Sequence, residues 1–279
     1  MDNIFQDVAS GARDRRRFLQ KLSFAGAVAG AALVGGVPKL MAQTTPPAIT
    51  DFDILQFALN LEYLEAEFYT VATTGVGIDQ QGIAVTGSGT AGPTTGGQVA
   101  FLFPDAVKSI ALELAFDEQA HVKLLRTFLA SKGVTPIAKP AINLNALGIG
   151  FAGEREFLVV SRILEEIGVT AYAGAAPLLQ DKTIVGTAAQ ILATEAQHVG
   201  NIRLTVAQYF LTTKALDGVD ILPPPTGKNY FSVDSNALVK TRTPGQVLFL
   251  AYGSQANVTA GGFFPNGVNG IINMSSASA

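Results

Sequence analysis

Glu118-Gln119-Ala120-His121 and Glu195-Ala196-Gln197-His198 hold both histidines of a 279-residue chain. In each, the imidazole follows a glutamate by three positions. On an α-helix that spacing puts the two side chains on one face. The neighbours say which face. Leu114, Glu118, His121 and Leu125 step by four, three and four, and so do Ile191, Glu195, His198 and Ile202. Both stripes are otherwise apolar, so the carboxylate and the imidazole are predicted to point inward. A buried carboxylate without a partner costs several kcal/mol and calls for a cation. A divalent metal meets that need, because imidazole and carboxylate both bind divalent iron or manganese.

Two more helices supply further carboxylates. One opens at Asp51, repeats Ile54, Phe57, Leu61, Leu64 and Phe68, and ends at Gly75. The other covers about Glu154 to Leu179, with Pro177 bending its end. Each contains Leu-Glu with a tyrosine seven residues after the glutamate: Glu62 with Tyr69, and Glu165 with Tyr172. The helices that carry the histidines are predicted over about Asp105 to Ser131, closed by Gly133, and about Ile184 to Thr212. The order along the chain is then Glu, Glu-x-x-His, Glu, Glu-x-x-His, an internal repeat of helix pairs. Four amphipathic helices predict an all-α four-helix bundle. Four carboxylates and two imidazoles are the set that holds two divalent metals in a bundle core, with the carboxylates balancing the ionic charge. The metal ligands expected are Glu62, Glu118, His121, Glu165, Glu195 and His198. Glu65 and Glu166 are their local rivals; the match between the two helices favours Glu62 and Glu165. Tyr69 and Tyr172 either hydrogen-bond ligand carboxylates, trap a radical, or fill the core as ordinary satisfied tyrosines.

Between the first two helices, residues 75–98 hold eight glycines mixed with Thr, Ser and Pro. No buried helix survives that glycine density, and a long surface insertion with room for a short hairpin is expected. After Pro223-Pro224-Pro225 the pattern changes again. Thr243-Pro244-Gly245-Gln246 reads as a capping box with proline at the first helical position, leading a short helix from Val247 to Tyr252. The end, Gly261-Gly262-Phe263-Phe264-Pro265-Asn266-Gly267, is irregular and apolar. Phe263 and Phe264 are expected to pack on the bundle as a lid.

Arg15-Arg16-Arg17-Phe18-Leu19 precedes the uncharged run Leu22 to Val37, and Leu40-Met41-Ala42 follows. A basic region, a short apolar segment and a small residue at a cleavage point predict a signal peptide over residues 1–42, of the twin-arginine type, and hence export to the periplasm or beyond. The division expected is signal 1–42, bundle 48–213 and C-terminal extension 214–279.

Composition narrows the chemistry. The chain has no cysteine, which excludes disulfides, iron–sulfur clusters, rubredoxin-type iron and thiolate zinc. Two histidines exclude a three-histidine metal site. The net charge is −3 and no basic block follows the N-terminus, so no nucleic-acid partner is expected. Mean hydropathy is +0.32, yet no stretch reaches the ~18 apolar residues of a span, so no stable membrane span is expected after processing.

On these motifs the chain resembles the ferritin-like superfamily, and most of all its exported members grouped with the desiccation-related proteins. The resemblance covers the mature chain, including the Thr-Pro-x-Gln-Val-Leu helix and the Phe-Phe-Pro-Asn-Gly segment. It implies a bundle with a carboxylate-bridged di-iron or di-manganese centre. Asp117 before Glu118 is similar to the Asp-Glu-x-x-His of bacterioferritins, where the aspartate orients a ligand histidine. The long insertion and the extension depart from cage ferritins. The chemistry implied is redox turnover of O2 or peroxide. The alternative is a non-catalytic protein of desiccation or envelope stress, in which the metal is a staple. Iron sequestration is a weaker third reading. Homo-oligomers are compatible with all three.

Overall fold

The computed structural model describes residues 48–102, 106–150 and 152–278. The expected signal segment lies outside the described residues. Five α-helices are present among them: α1 Asp51–Thr74, α2 Ala106–Ser131, α3 Glu154–Ala175, α4 Lys182–Gln208 and the short α5 Pro244–Ala251. The first four form the bundle as two helical hairpins, α1 with α2 and α3 with α4.

Local chemistry sets most helix ends. Thr50 and Asp53 form a reciprocal capping box at the start of α1, and Gly75 closes it in the left-handed conformation with φ 81°. The Asp181 carboxylate accepts from the Thr183 and Ile184 amides to start α4. Thr243 and Gln246 form the expected box at α5. Pro177 lacks the N–H that would continue α3, and residues Ala176–Leu178 form a 3-10 turn instead.

Helix α4 stops four residues before the expected Thr212. Phe210 takes φ 53°, the Phe210 amide donates to Ala207 O at 3.1 Å and the Leu211 amide to Val206 O at 3.0 Å. This is the paired-bond C-terminal closure that usually carries glycine at the left-handed position. Here phenylalanine occupies it, so the composition carries no stop signal.

Helices α1 and α3 are buried on nearly every side through their central turns, from Leu59 to Ala72 and from Val160 to Tyr172. Helices α2 and α4 bury only a stripe and keep an exposed face. The difference arises from what covers the inner pair. Residues 85–95 of the insertion run parallel to 137–144, the α2–α3 connection. Thr94 and Thr95 pair with Ile142 and Asn143 in a two-stranded parallel sheet, so the insertion makes no hairpin of its own. Arg126 of α2 donates to Thr86 O at 2.7 Å and Ile137 O at 3.2 Å, tying both segments to the bundle.

The extension lies against the bundle through three buried arginines. Arg162 donates to both Asp220 oxygens, at 2.9 and 3.0 Å. Arg203 pairs with Glu166 and donates to the carbonyls of Ile221, Asn229 and Tyr230. Arg242 holds Asp217 through two bonds of 2.9 and 2.6 Å and donates to Thr170 Oγ1 at 2.6 Å. Phe263 and Phe264 are buried, and Phe263 lines a small cavity together with Leu61, Leu64, Leu164 and Ile167 of α1 and α3.

Candidate metal centre

Six side chains from all four long helices meet at mid-bundle. His121 Nδ1 lies 3.2 Å from Glu62 Oε2, 3.1 Å from Glu118 Oε2 and 3.5 Å from Glu195 Oε1. His198 Nδ1 lies 3.0 Å from Glu118 Oε1 and 3.3 Å from Glu165 Oε2. The imidazole centroids are 6.3 Å apart. Two groups of four donors result, each with ligand atoms within 4.8 Å of one another: Glu62, Glu118, His121 and Glu195, and Glu118, Glu165, Glu195 and His198. Glu118 and Glu195 belong to both groups. Glu62 with His121 and Glu165 with His198 belong to one each. The internal repeat therefore appears in space as an approximate two-fold exchange of one helical hairpin with the other.

The four glutamates have no exposed surface. Glu62 Oε2, Glu118 Oε1, Glu165 Oε2, both oxygens of Glu195 and His198 Nδ1 lack a hydrogen-bond partner. Buried acceptors of this kind are normally satisfied. Such a set, converging at metal-ligand spacing, fits divalent cations of the iron or manganese type in number and chemistry.

Protons carry the balance when no metal is bound. Burial pushes Glu118 up to about 7 against the opposing pull of His121 and His198. Burial, with repulsion from Glu118, Glu165 and Glu62, pushes Glu195 well above the usual carboxylate range. Glu62 goes the other way: burial opposes its charge, but His121 overcomes it. Burial opposes charge on the His198 ring too, yet Glu118 and Glu165 raise it to about 12.

The supporting bonds cross between the hairpins. The Tyr69 hydroxyl of α1 donates to Glu165 Oε1 of α3, and Tyr172 of α3 donates to Glu62 Oε1 of α1. Both tyrosines are buried carboxylate-holders rather than plain core. Asp117 Oδ2 is 3.1 Å from His198 Nε2. That bond leaves Nδ1 of His198 facing the carboxylates. The oriented histidine is therefore the one on α4, not His121 on the aspartate's own helix.

Glu166 turns away from the cluster to pair with Arg203. Glu65 is 4% exposed and stands outside both four-donor groups. Burial, reinforced by Glu195 and Glu118, holds its carboxyl well above the ordinary range. Gly168 is a residue that the motif reading passes over. A methyl group on it would lie 2.6 Å from Glu195 Oε2 and 3.1 Å from Glu65 Oε1. The signal was present in the sequence, since an isolated glycine inside a helical pattern often marks a close approach.

A bundle of this topology, with inward Glu and Glu-x-x-His donors, defines the ferritin-like class. Residues 50–208, more than half of the chain, match the ferritin-like domain family, and the protein belongs to it. Two relatives show where it stands. It is 27% identical to the ferritin-like catalase Nec2 of Nesocodon mauritianus, over 80% of this chain and 84% of that one. It is 25% identical to the desiccation-related protein PCC13-62 of Craterostigma plantagineum, over 79% of this chain and 83% of that one.

Proposed function

We propose that this protein is an exported redox metalloprotein that consumes peroxide or O2 at a dinuclear manganese or iron centre. Glu62, Glu118, His121, Glu165, Glu195 and His198 would hold the ions, Glu118 and Glu195 being the donors common to both groups. The observation that carries this reading is the pair of overlapping donor groups whose buried acceptors lack protein partners. The name of the Nesocodon relative supports peroxide as substrate.

Two adjacent redox-active ions supply two-electron exchange with an O–O bond. The chain's own residues do the rest. Tyr69 and Tyr172 restrain Glu165 and Glu62, limiting how far these carboxylates swing. Asp117 fixes the His198 tautomer. The raised proton affinities of Glu118 and Glu195 let the cluster hold protons when cations leave. Disproportionation of hydrogen peroxide uses the same molecule as oxidant and reductant. It therefore needs no electron-transfer partner, which suits a chain without cysteine. A twin-arginine route suits a protein that folds around its metal before export.

The second reading is a protective protein with a structural metal, favoured by the name of the Craterostigma relative. Metal content and peroxide turnover on one preparation separate the two, with Glu118→Ala/His198→Ala beside it. Two ions per chain, lost in the double variant together with turnover, are expected. Bound metal without turnover would establish the protective reading instead.

A further inference from the structure

Two small grooves lie between helices of the bundle. One lies between α2 and α4, beside Leu124, Ala188 and Ile191, with a cavity of about 10 Å3. Its hydroxyls are already committed: Tyr172 donates to Glu62 and Thr187 to Thr183 O. The other lies between α1 and α3. It is bounded by Leu61, Leu164, Ile167 and Phe263, has Glu65 and Gly168 in its wall, and encloses about 20 Å3. That is room for one molecule the size of water or slightly larger.

We infer that the α1–α3 groove is the access channel and berth for hydrogen peroxide, with Glu65 as its hydrogen-bonding group and Phe263 as the residue that sets its width. The inference rests on the proposed dinuclear centre. Its own support is geometric. Leu61 and Ile167 each keep 7% of their surface exposed, Glu65 keeps 4%, and the Glu62, Glu165 and Glu195 side chains of the donor cluster keep none. The wall of the groove is thus slightly open to solvent while the donor cluster is sealed. Glu65 has no hydrogen-bond or ion-pair partner among the described residues. A carboxyl group so deeply buried and unpartnered suits a small ligand that both donates and accepts. Gly168 lets the two carboxyl groups approach its backbone. Glu65 Oε1 and Glu195 Oε2 lie within 3.1 Å and 2.6 Å of where an alanine methyl would sit, so the Glu65 carboxyl in the groove wall stands close to a carboxylate shared by the two donor groups. Phe263 is pinned by its backbone, donating to Ala251 O at 2.8 Å and accepting from the Asn143 amide at 2.9 Å. The ring is thereby held beside the groove by the extension and by the connection before α3. Peroxide fits this side better than the α2–α4 groove, whose two side-chain hydroxyls already donate to protein acceptors and whose wall holds no carboxyl group.

The test uses the full metal-loaded chain, with metal content measured for every variant. Azide is the probe, its binding followed by the change it makes in the metal's optical or paramagnetic spectrum. Ile167→Phe narrows the rim and is expected to slow azide association at least tenfold at unchanged metal content. Phe263→Ala is expected to raise turnover of tert-butyl hydroperoxide relative to hydrogen peroxide at least tenfold. Glu65→Leu is expected to raise the peroxide KM at least tenfold while metal content stays constant. Loss of metal in Glu65→Leu would overturn the inference by making Glu65 a ligand. So would azide rates untouched by Ile167→Phe but slowed by Ala188→Phe, which places the route between α2 and α4. A wild type that binds no metal removes the dinuclear reading and this inference together, whereas loaded variants that all match wild type remove the inference alone.

Discussion

Two of the buried charge clusters among the described residues treat charge in opposite ways. Under the extension, Arg162, Arg203 and Arg242 face Asp220, Glu166 and Asp217, and nearly all of their donors find carboxylates, carbonyls or a hydroxyl. At mid-bundle, carboxylates face carboxylates, and six of the cluster's polar atoms have no hydrogen-bond partner. The first region is closed by the protein's own cations. The second has only two imidazoles to set against four glutamates. Burial alone therefore does not mark a functional site; burial without internal compensation does.

That contrast is open to direct attack. The largest effect is expected from Glu195→Gln. In chelated protein it removes a carboxyl group that must take up a proton on burial, and raises Tm. In protein supplied with manganese or iron it abolishes the metal-induced rise in Tm, about 4 kcal/mol of stabilisation at a thousandfold excess over Kd. Calorimetry of both forms checks the two signs, and a variant destabilised equally with and without metal would erase the distinction between the regions.

Arg203→Ala should cost about 3–5 kcal/mol in urea unfolding, because the buried Glu166 loses the cation bonded to it. Added metal should not restore it. Recovery with metal would mean that Glu166 can enter the cluster.

Metal binding should release protons near pH 7, since Glu118 titrates at about 7 and His198 at about 12 in the metal-free cluster. Affinity should therefore weaken as pH falls. Titration calorimetry in buffers of different ionisation enthalpy reads the release directly; enthalpies independent of buffer would contradict it.

Tyr172→Phe deletes the bond to Glu62 without touching a donor. A 10- to 100-fold loss of metal affinity is expected, in line with other groups that orient ligands. The smallest effect belongs to the closed region. Burial opposes the Asp217 charge, but bonds from Arg242 and Ser278 outweigh it and hold its pKa at about 2. A depressed carboxylate contributes stability above its unfolded pKa of ~3.9 and loses it as pH falls through the folded value. Asp217→Asn should thus flatten the acid limb of the stability curve between about pH 4 and pH 2.

Much of this protein is legible along the chain, because helical periodicity and capping are local. The stop of α1 at Gly75 and the capping box of Thr243 and Gln246 that starts α5 are set by local chemistry. The donor types follow from a polar pair inside each apolar stripe. The remainder depends on residues far apart. Glu165 and Glu166 are neighbours with equal helix propensity, and what separates them is Arg203, thirty-seven positions on, taking Glu166. Glu62 and Glu65 share a face, and only the docking of the second hairpin puts Glu62 against His121 and leaves Glu65 beside Gly168. Asp117 precedes Glu118, but the histidine it orients comes from α4. The glycine-rich insertion has turn chemistry without a partner, and its parallel pairing with Ile142 and Asn143 required the α2–α3 connection to arrive beside it. Spacing within a helix is set by the backbone, so sequence suffices for which residues share a face. Which carboxylate meets a cation is set by distance across the core, and that exists only once the hairpins have packed.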